Sequence, residues 1–247
     1  RSEVASRVEN TADALRQRIE LSMSVTYTLA ALVKHGHGRI RDFNEVASEL
    51  LPYYPGVAAL QLVPDGIIQQ TVPLAGNEPI IGHNLLLNPA RNKEAFIARD
   101  TGRLTLAGPF KLLQGGDGAV ARLPVFLDHE DGKYFWGFVA VILRFPDTLV
   151  GAGLQNLTAD GIDYELWRVD PETRQKQVIA TSASAALSEP VQAVLDLAHG
   201  NWTLSAAPTT GWGDPLGLAL KLVLGLVFSL LMALLAKLLV ESRAHER

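Results

Sequence analysis

No cysteine occurs among the 247 residues, which excludes a disulfide framework, thiolate catalysis and Cys-ligated zinc. Charge is scarce too: Asp, Glu, Lys and Arg make up 19% of the chain, against about 25% in an average globular domain. A basic excess is missing, since 22 Lys and Arg face 26 Asp and Glu for a net charge of −4. A nucleic-acid-binding domain, which draws most of its affinity from cations, is therefore not expected. Low charge with abundant Leu, Val and Ile also excludes intrinsic disorder. Catalytic signatures are absent: there is no H-E-x-x-H, no G-x-S-x-G and no P-loop, and the six His are scattered without metal-ligand spacing. Neither a metal nor a cofactor is expected.

What the chain has in excess is hydrophobicity, 48% of residues with a mean hydropathy of +0.14, and the excess is local. Residues 216–240 read LGLALKLVLGLVFSLLMALLAKLLV, and a bilayer core takes about 20 predominantly apolar residues. Lys221 and Lys237 interrupt the run near its ends, where a lysine can carry its ammonium to the interface, and Trp212 precedes it as a belt residue would. A buried or amphipathic helix would need a polar stripe, and between the two lysines only Ser229 is polar. A transmembrane helix is expected over residues 215–240. Arg243 and Arg247 then place the C-terminus in the cytoplasm, with residues 1–214 extracytoplasmic and the helix in the inner membrane. The chain opens on Arg1 without a signal peptide, so it reads as a fragment whose upstream part supplied a first membrane helix.

Along the rest of the chain the pattern is α+β. Val4, Val8, Ala12, Leu15, Ile19, Met23, Leu29 and Val33 recur near the helical period, predicting one long helix that ends at Gly36-His37-Gly38. Periodicity leaves open whether its apolar face meets its own domain or a partner helix. Asp42 and Glu45 form a capping-box-like pair for a short second helix. Val57–Val63 and Ile67–Val72 flank Pro64-Asp65-Gly66 as a hairpin. Asn88-Pro89 opens a helix that closes at Thr101-Gly102. Strands follow at 103–106, 119–127 and 134–145, the last (YFWGFVAVILRF) so continuously apolar that a central position is expected. Pro146 opens a smaller unit: a helix over 147–157, strands at 164–169 and 177–181, a helix over 189–197, and a strand at 202–206.

Individual constellations are weak. His35 and His37 suit a loop better than a ligand pair, and Asp128-His129-Glu130-Asp131-Gly132 suits a solvated hairpin better than a cation site. Gly115-Gly116-Asp117-Gly118 is a turn, and the Asn156 and Asn201 glycosylation patterns carry meaning only in a eukaryotic secretory protein. Tyr134, Phe135, Trp136 and Phe138 suit core packing or a cavity wall, and ligand pockets are themselves mostly apolar.

Tyr54-Pro55-Gly56-Val57, Arg99-Asp100-Thr101-Gly102, Pro109-Phe110-Lys111-Leu112-Leu113 and Leu123-Pro124-Val125-Phe126 occur in an order and spacing that resembles the CHASE domain. This is an extracytoplasmic ligand sensor of bacterial receptors and plant cytokinin receptors. The resemblance implies a long helix (1–38), a membrane-distal PAS-like unit that binds the ligand (39–145), a membrane-proximal PAS-like unit (146–214), the membrane helix (215–240) and a cytoplasmic start (241–247). It also implies a signalling role, with a cyclic-di-GMP cyclase, a phosphodiesterase or a histidine kinase as an output module absent from this chain. The chain itself is then not an enzyme, and a homodimer through the long helix is expected, with Ile19 as the test position. Of the family's ligand contacts, an acidic residue aligns with Arg91, a leucine with Leu113 and a threonine with Arg122. Phe110 and Trp136 join them as candidates. Two arginines make adenine-type ligands poor candidates and favour an anionic small molecule, which Arg binds in bidentate fashion. Their alternative is a solvent-facing role or pairing with Glu94 or Asp117. A partner-binding module without a small ligand is the rival function, and a membrane-anchored hydrolase a third that lacks its nucleophile and base.

Overall fold

The periodic apolar residues of the N-terminus do form one helix, α1 (Ser2–His35), with Val8, Leu15, Ile19, Leu29 and Val33 buried along one side. The computed structural model describes residues 1–87, 89, 92–170, 173–198, 200–213 and 215–245, apart from the side chains of 215, 216, 218 and 236–245. Ile19 is fully buried against the sheets of its own chain, so it is no dimer position. The opposite side of α1 exposes Gln17, Leu21, Thr28 and Ala31. α2 (Phe43–Leu50) follows, but without the expected capping box. Asp42 adopts the left-handed conformation (φ 53°) and makes no side-chain cap; its carbonyl oxygen instead accepts from the Glu45 and Val46 amides.

Next comes a five-stranded antiparallel sheet of β1 (Val57–Pro64), β2 (Gln70–Val72), β3 (Thr105–Lys111), β4 (Asp117–His129) and β5 (Gly132–Phe145), ordered β2-β1-β5-β4-β3. The expected hairpin turn forms, Asp65 and Gly66 both at positive φ, and β5 takes the central position its apolar run required. β3 extends past the expected end at Leu106 because Gly108-Pro109 forms a bulge, not a stop: pairing shifts between Ala107 and Phe110 and resumes. Between β2 and β3 runs a covering segment, residues 73–104. It contains α3 (Lys93–Thr101), which starts later than expected, at the Asn92 cap position. Asn88 lies outside the described residues. Asn92 Nδ2 donates to the Leu86 carbonyl, tying the approach to the helix into a turn. Gly102 closes α3 at φ +69° as expected.

A second antiparallel sheet holds β6 (Ile162–Val169), β7 (Lys176–Thr181), β8 (Val191–Leu197) and β9 (Gly200–Pro208), ordered β7-β6-β9-β8. It is preceded by a 3-10 turn and α4 (Leu154–Ala159), where one helix over 147–157 was expected; Gly151 and Gly153, both at positive φ, break it. The helix expected over 189–197 is β8. There Ala193, Leu195 and Leu197 point inward and Gln192, Val194 and Asp196 outward, a period of two. Apart from β3, the two sheets share one strand order. α1 packs on β4 and β5 of the first and on β8 and β9 of the second, so one core serves both.

Residues 1–209 form one compact unit and residues 210–247 another. The second contains α5 (Pro215–His245), a single helix over the whole apolar run. Its described side chains from 219 to 235 are all exposed. Among the described residues no helix is long and apolar enough to cross a membrane.

Candidate functional site

The face of the first sheet turned away from α1 is covered by the 73–104 segment and forms a second core of Val63, Ile80, Leu85, Ala98, Phe138 and Ile142. Into this apolar layer the strands deliver one polar row. Cross-strand register aligns Thr71, Gln61, Ala140, Arg122 and Thr105 on β2, β1, β5, β4 and β3. Residues in register share a face, and Thr71 (3% exposed), Gln61 (1%), Arg122 (2%) and Thr105 (0%) are all buried. Ala140 stands between Gln61 and Arg122 with only a methyl group. Two strand spacings separate their backbones there, about 10 Å.

A buried amide or charge costs free energy unless it is hydrogen-bonded. Thr105 Oγ1 donates to the Glu94 carbonyl at 3.2 Å. Gln61 Nε2 and Thr71 Oγ1 find no partner among the described residues, nor does Gln114 Nε2 nearby. Gln61 opens onto a cavity of about 40 Å³ whose wall includes Ile80, His83, Phe110, Leu113 and Gln114. That is room for about three waters at ~10–15 Å³ each. Gln61 is the member of the row that reaches this space, and the roof leaves only that small volume at the Gln61 end.

Of the residues singled out from sequence, Arg122 lies in the row, and Phe110 and half-exposed Leu113 line the adjacent cavity. Arg91 falls outside the described residues. Trp136 does not join them. A bulge opposite the Val125–Phe126 step interrupts alternation, since Val125 pairs with Gly137 and Phe126 with Phe135. Phe135 and Phe138 therefore meet edge to face at 5.0 Å in the covered layer, while Trp136 packs in the α1 core against Gly38. Gly137 (φ +144°) permits this; a Cβ there would lie 2.2 Å from the Val63 carbonyl oxygen. No cluster of His, Asp and Glu suited to a metal occurs among the described residues. The sequence reading missed Gln61, Thr71 and Thr105; the first was visible as the single polar residue in the apolar run VAALQLV.

A second cavity, about 130 Å³, lies between α3 and the β8–β9 hairpin and is lined by Glu94, Ile97, Leu106, Arg168, Leu197 and Trp202 among others. Arg168 Nε donates to Gln177 Oε1 at 2.9 Å, and Gln177 Nε2 donates to the Pro109 carbonyl at 2.7 Å. Burial lowers the pKa of Arg168, while Glu94 and Asp170 act in the opposite direction.

Residues 65–179 match the model of the CHASE domain. No curated protein matches the chain. Among solved structures, an extracellular ligand-binding receptor from Desulfohalobium retbaense superposes with a TM-score of 0.66 at 15% identity, over 81% of this chain and 39% of that one. The chain thus spans about two-fifths of that receptor's length. The ligand-binding domain of the Pseudomonas aeruginosa amino-acid chemoreceptor PctC, in complex with GABA, superposes with a TM-score of 0.57 at 15% identity, over 83% of this chain and 97% of that one. At that identity the shared property is the fold.

Proposed function

We propose that this chain is the extracytoplasmic small-ligand sensor of a transmembrane signalling receptor, with the ligand held over the Thr71–Gln61–Ala140–Arg122–Thr105 row. The carrying observation is that row: a line of polar side chains, one of them a guanidinium, enclosed under a separate covering segment. The CHASE match and the fold of extracellular ligand-binding domains support the same reading. Arg122 favours an anionic ligand with a carboxylate at that end, and Gln61 and Thr71 receive its polar groups at the other. The small cavity at Gln61 requires the 73–104 segment to move on binding. Binding energy then biases one position of that segment over another, which is the requirement for a signal. α5 crosses the inner membrane with its C-terminus in the cytoplasm and hands the change to an output module, a cyclic-di-GMP enzyme or a histidine kinase. The chain senses and relays, and chemistry belongs to that module. Two copies associate through the exposed face of α1.

The test is a thermal-shift screen of the full chain in detergent against organic acids, amino acids and purines. A carboxylate that raises Tm in the native chain and leaves it unchanged in Arg122→Met is the expected result. That variant should fold, because replacing a buried charge by an apolar side chain of similar length is often neutral or stabilising. No stabilising compound at all, or none whose effect Arg122→Met removes, overturns the reading.

A further inference from the structure

We propose that the cavity between α3 and the β8–β9 hairpin is a second binding site, built for a short-chain amino acid that carries both charges. It is separate from the Gln61–Arg122 row and does not rest on it. Its volume of about 130 Å³ is close to that of engineered cavities of about 150 Å³ that take up benzene. A ligand of about five to seven non-hydrogen atoms is the matching size. Ile97, Leu106, Leu197 and Trp202 supply apolar walls that fit a short methylene chain.

The charges set the class. Lys93 and Glu94 come from α3 and Arg168 from β6, so two elements of the fold bring opposite charges to one small space, with Glu94 its one described carboxylate. Arg168 is fixed through Nε by Gln177, which is itself fixed to Pro109, and its terminal nitrogens make no hydrogen bond to the described residues. Glu94 is held by its backbone carbonyl, to which Thr105 donates, and its carboxylate forms no ion pair among the described residues. The two attract each other electrostatically and line the same cavity without forming an ion pair among the described residues. A ligand carboxylate on Arg168 and a ligand ammonium on Glu94 satisfy both at once. A simple anion leaves Glu94 facing its like charge, and a simple amine does the same to Arg168. The discrimination therefore comes from repulsion as well as attraction.

Isothermal titration of the full chain in detergent micelles tests this, with β-alanine as probe and acetate and methylammonium as single-charge controls. β-Alanine should bind, with each control at least about tenfold weaker. Glu94→Gln and Arg168→Gln should each weaken β-alanine by about tenfold or more, as expected for loss of one charge-assisted contact. Arg168→Lys should retain part of the affinity, and Arg122→Met all of it. Should Arg168→Gln loosen the Gln177–Pro109 tie and unfold the chain by circular dichroism, Glu94→Gln carries the test, because its side chain anchors nothing. The proposal is overturned if β-alanine does not bind, if acetate binds as well, or if Glu94→Gln leaves affinity unchanged. Loss of β-alanine binding in Arg122→Met alone also overturns it, and would assign the amino acid to the polar row instead.

Discussion

The two sheets of residues 1–209 carry the same kind of polar row and treat it in opposite ways. In the first, Thr71, Gln61, Ala140 and Arg122 lie in register; in the second, Thr181, Glu165, Ser205 and Gln192 occupy the corresponding strands. The second row closes on itself. Ser205 Oγ accepts from Trp167 Nε1 at 2.8 Å and from Gln192 Nε2 at 3.2 Å. Lys176 pairs with Glu165 and lies over the Trp167 ring, and Thr181 donates to the Tyr164 carbonyl. The first row has Ala140 where the second has Ser205, so Gln61 and Arg122 have no hydroxyl between them. It also lies under the 73–104 segment, whereas residues 182–190 are all that joins β7 to β8. A covering segment and a missing hydroxyl, on a shared strand order, separate the proposed site from a self-satisfied row.

Filling the gap tests this most severely. Ala140 is fully buried, and Ala140→Leu should cost about 1–3 kcal/mol through overpacking and abolish any ligand-induced rise in Tm. Chemical denaturation gives the first number and the thermal-shift screen the second. If Ala140→Leu still responds to the ligand that Arg122 recognises, the site is not over Ala140.

A pair of variants asks whether the rows differ in sign. Ser205→Ala leaves the Trp167 and Gln192 donors without their acceptor and should destabilise by about 1–2 kcal/mol. Gln61→Leu removes a buried amide whose Nε2 has no described partner. It should be neutral or stabilising by up to about 1 kcal/mol while weakening the ligand. Urea midpoints measured side by side decide it: losses of equal size in both would erase the distinction drawn between the sheets.

How much of this was legible in the sequence follows from the range of the interactions. α1 and central β5 were readable because an apolar period or an unbroken apolar run is a local property of the chain. β8 was not: PVQAVLDL satisfies helical and strand periods alike over so short a stretch, and its pairing with β9 decides. The Asp42 capping box failed because a left-handed backbone turns the side chain away, a torsion no spacing rule reports. Trp136 was assigned to the wrong face because one bulge at Gly137 reverses alternation. Arg122, Phe110 and Leu113 were reached through motif resemblance. The row that holds Arg122, and the cavity beside it that Phe110 and Leu113 line, are visible only once register is known, and Glu94 shares a cavity with Arg168 only because α3 and the second sheet border the same space.

α1 offers the smallest expected effect on the fold and the cleanest separation of roles, since its inward face belongs to both sheets and its outward face to neither. Ile19 is fully buried between them, so Ile19→Glu would place an unpaired charge in the common core and unfold both. Leu21, two positions on, is 52% exposed. Leu21→Glu should therefore change stability by no more than about 0.5 kcal/mol. If the outward face joins two copies, the same change should shift sedimentation from dimer to monomer, because the charges would meet across the contact. An unchanged dimer would remove α1 from the interface, and a fall in monomer Tm would show that the outward face is packed after all.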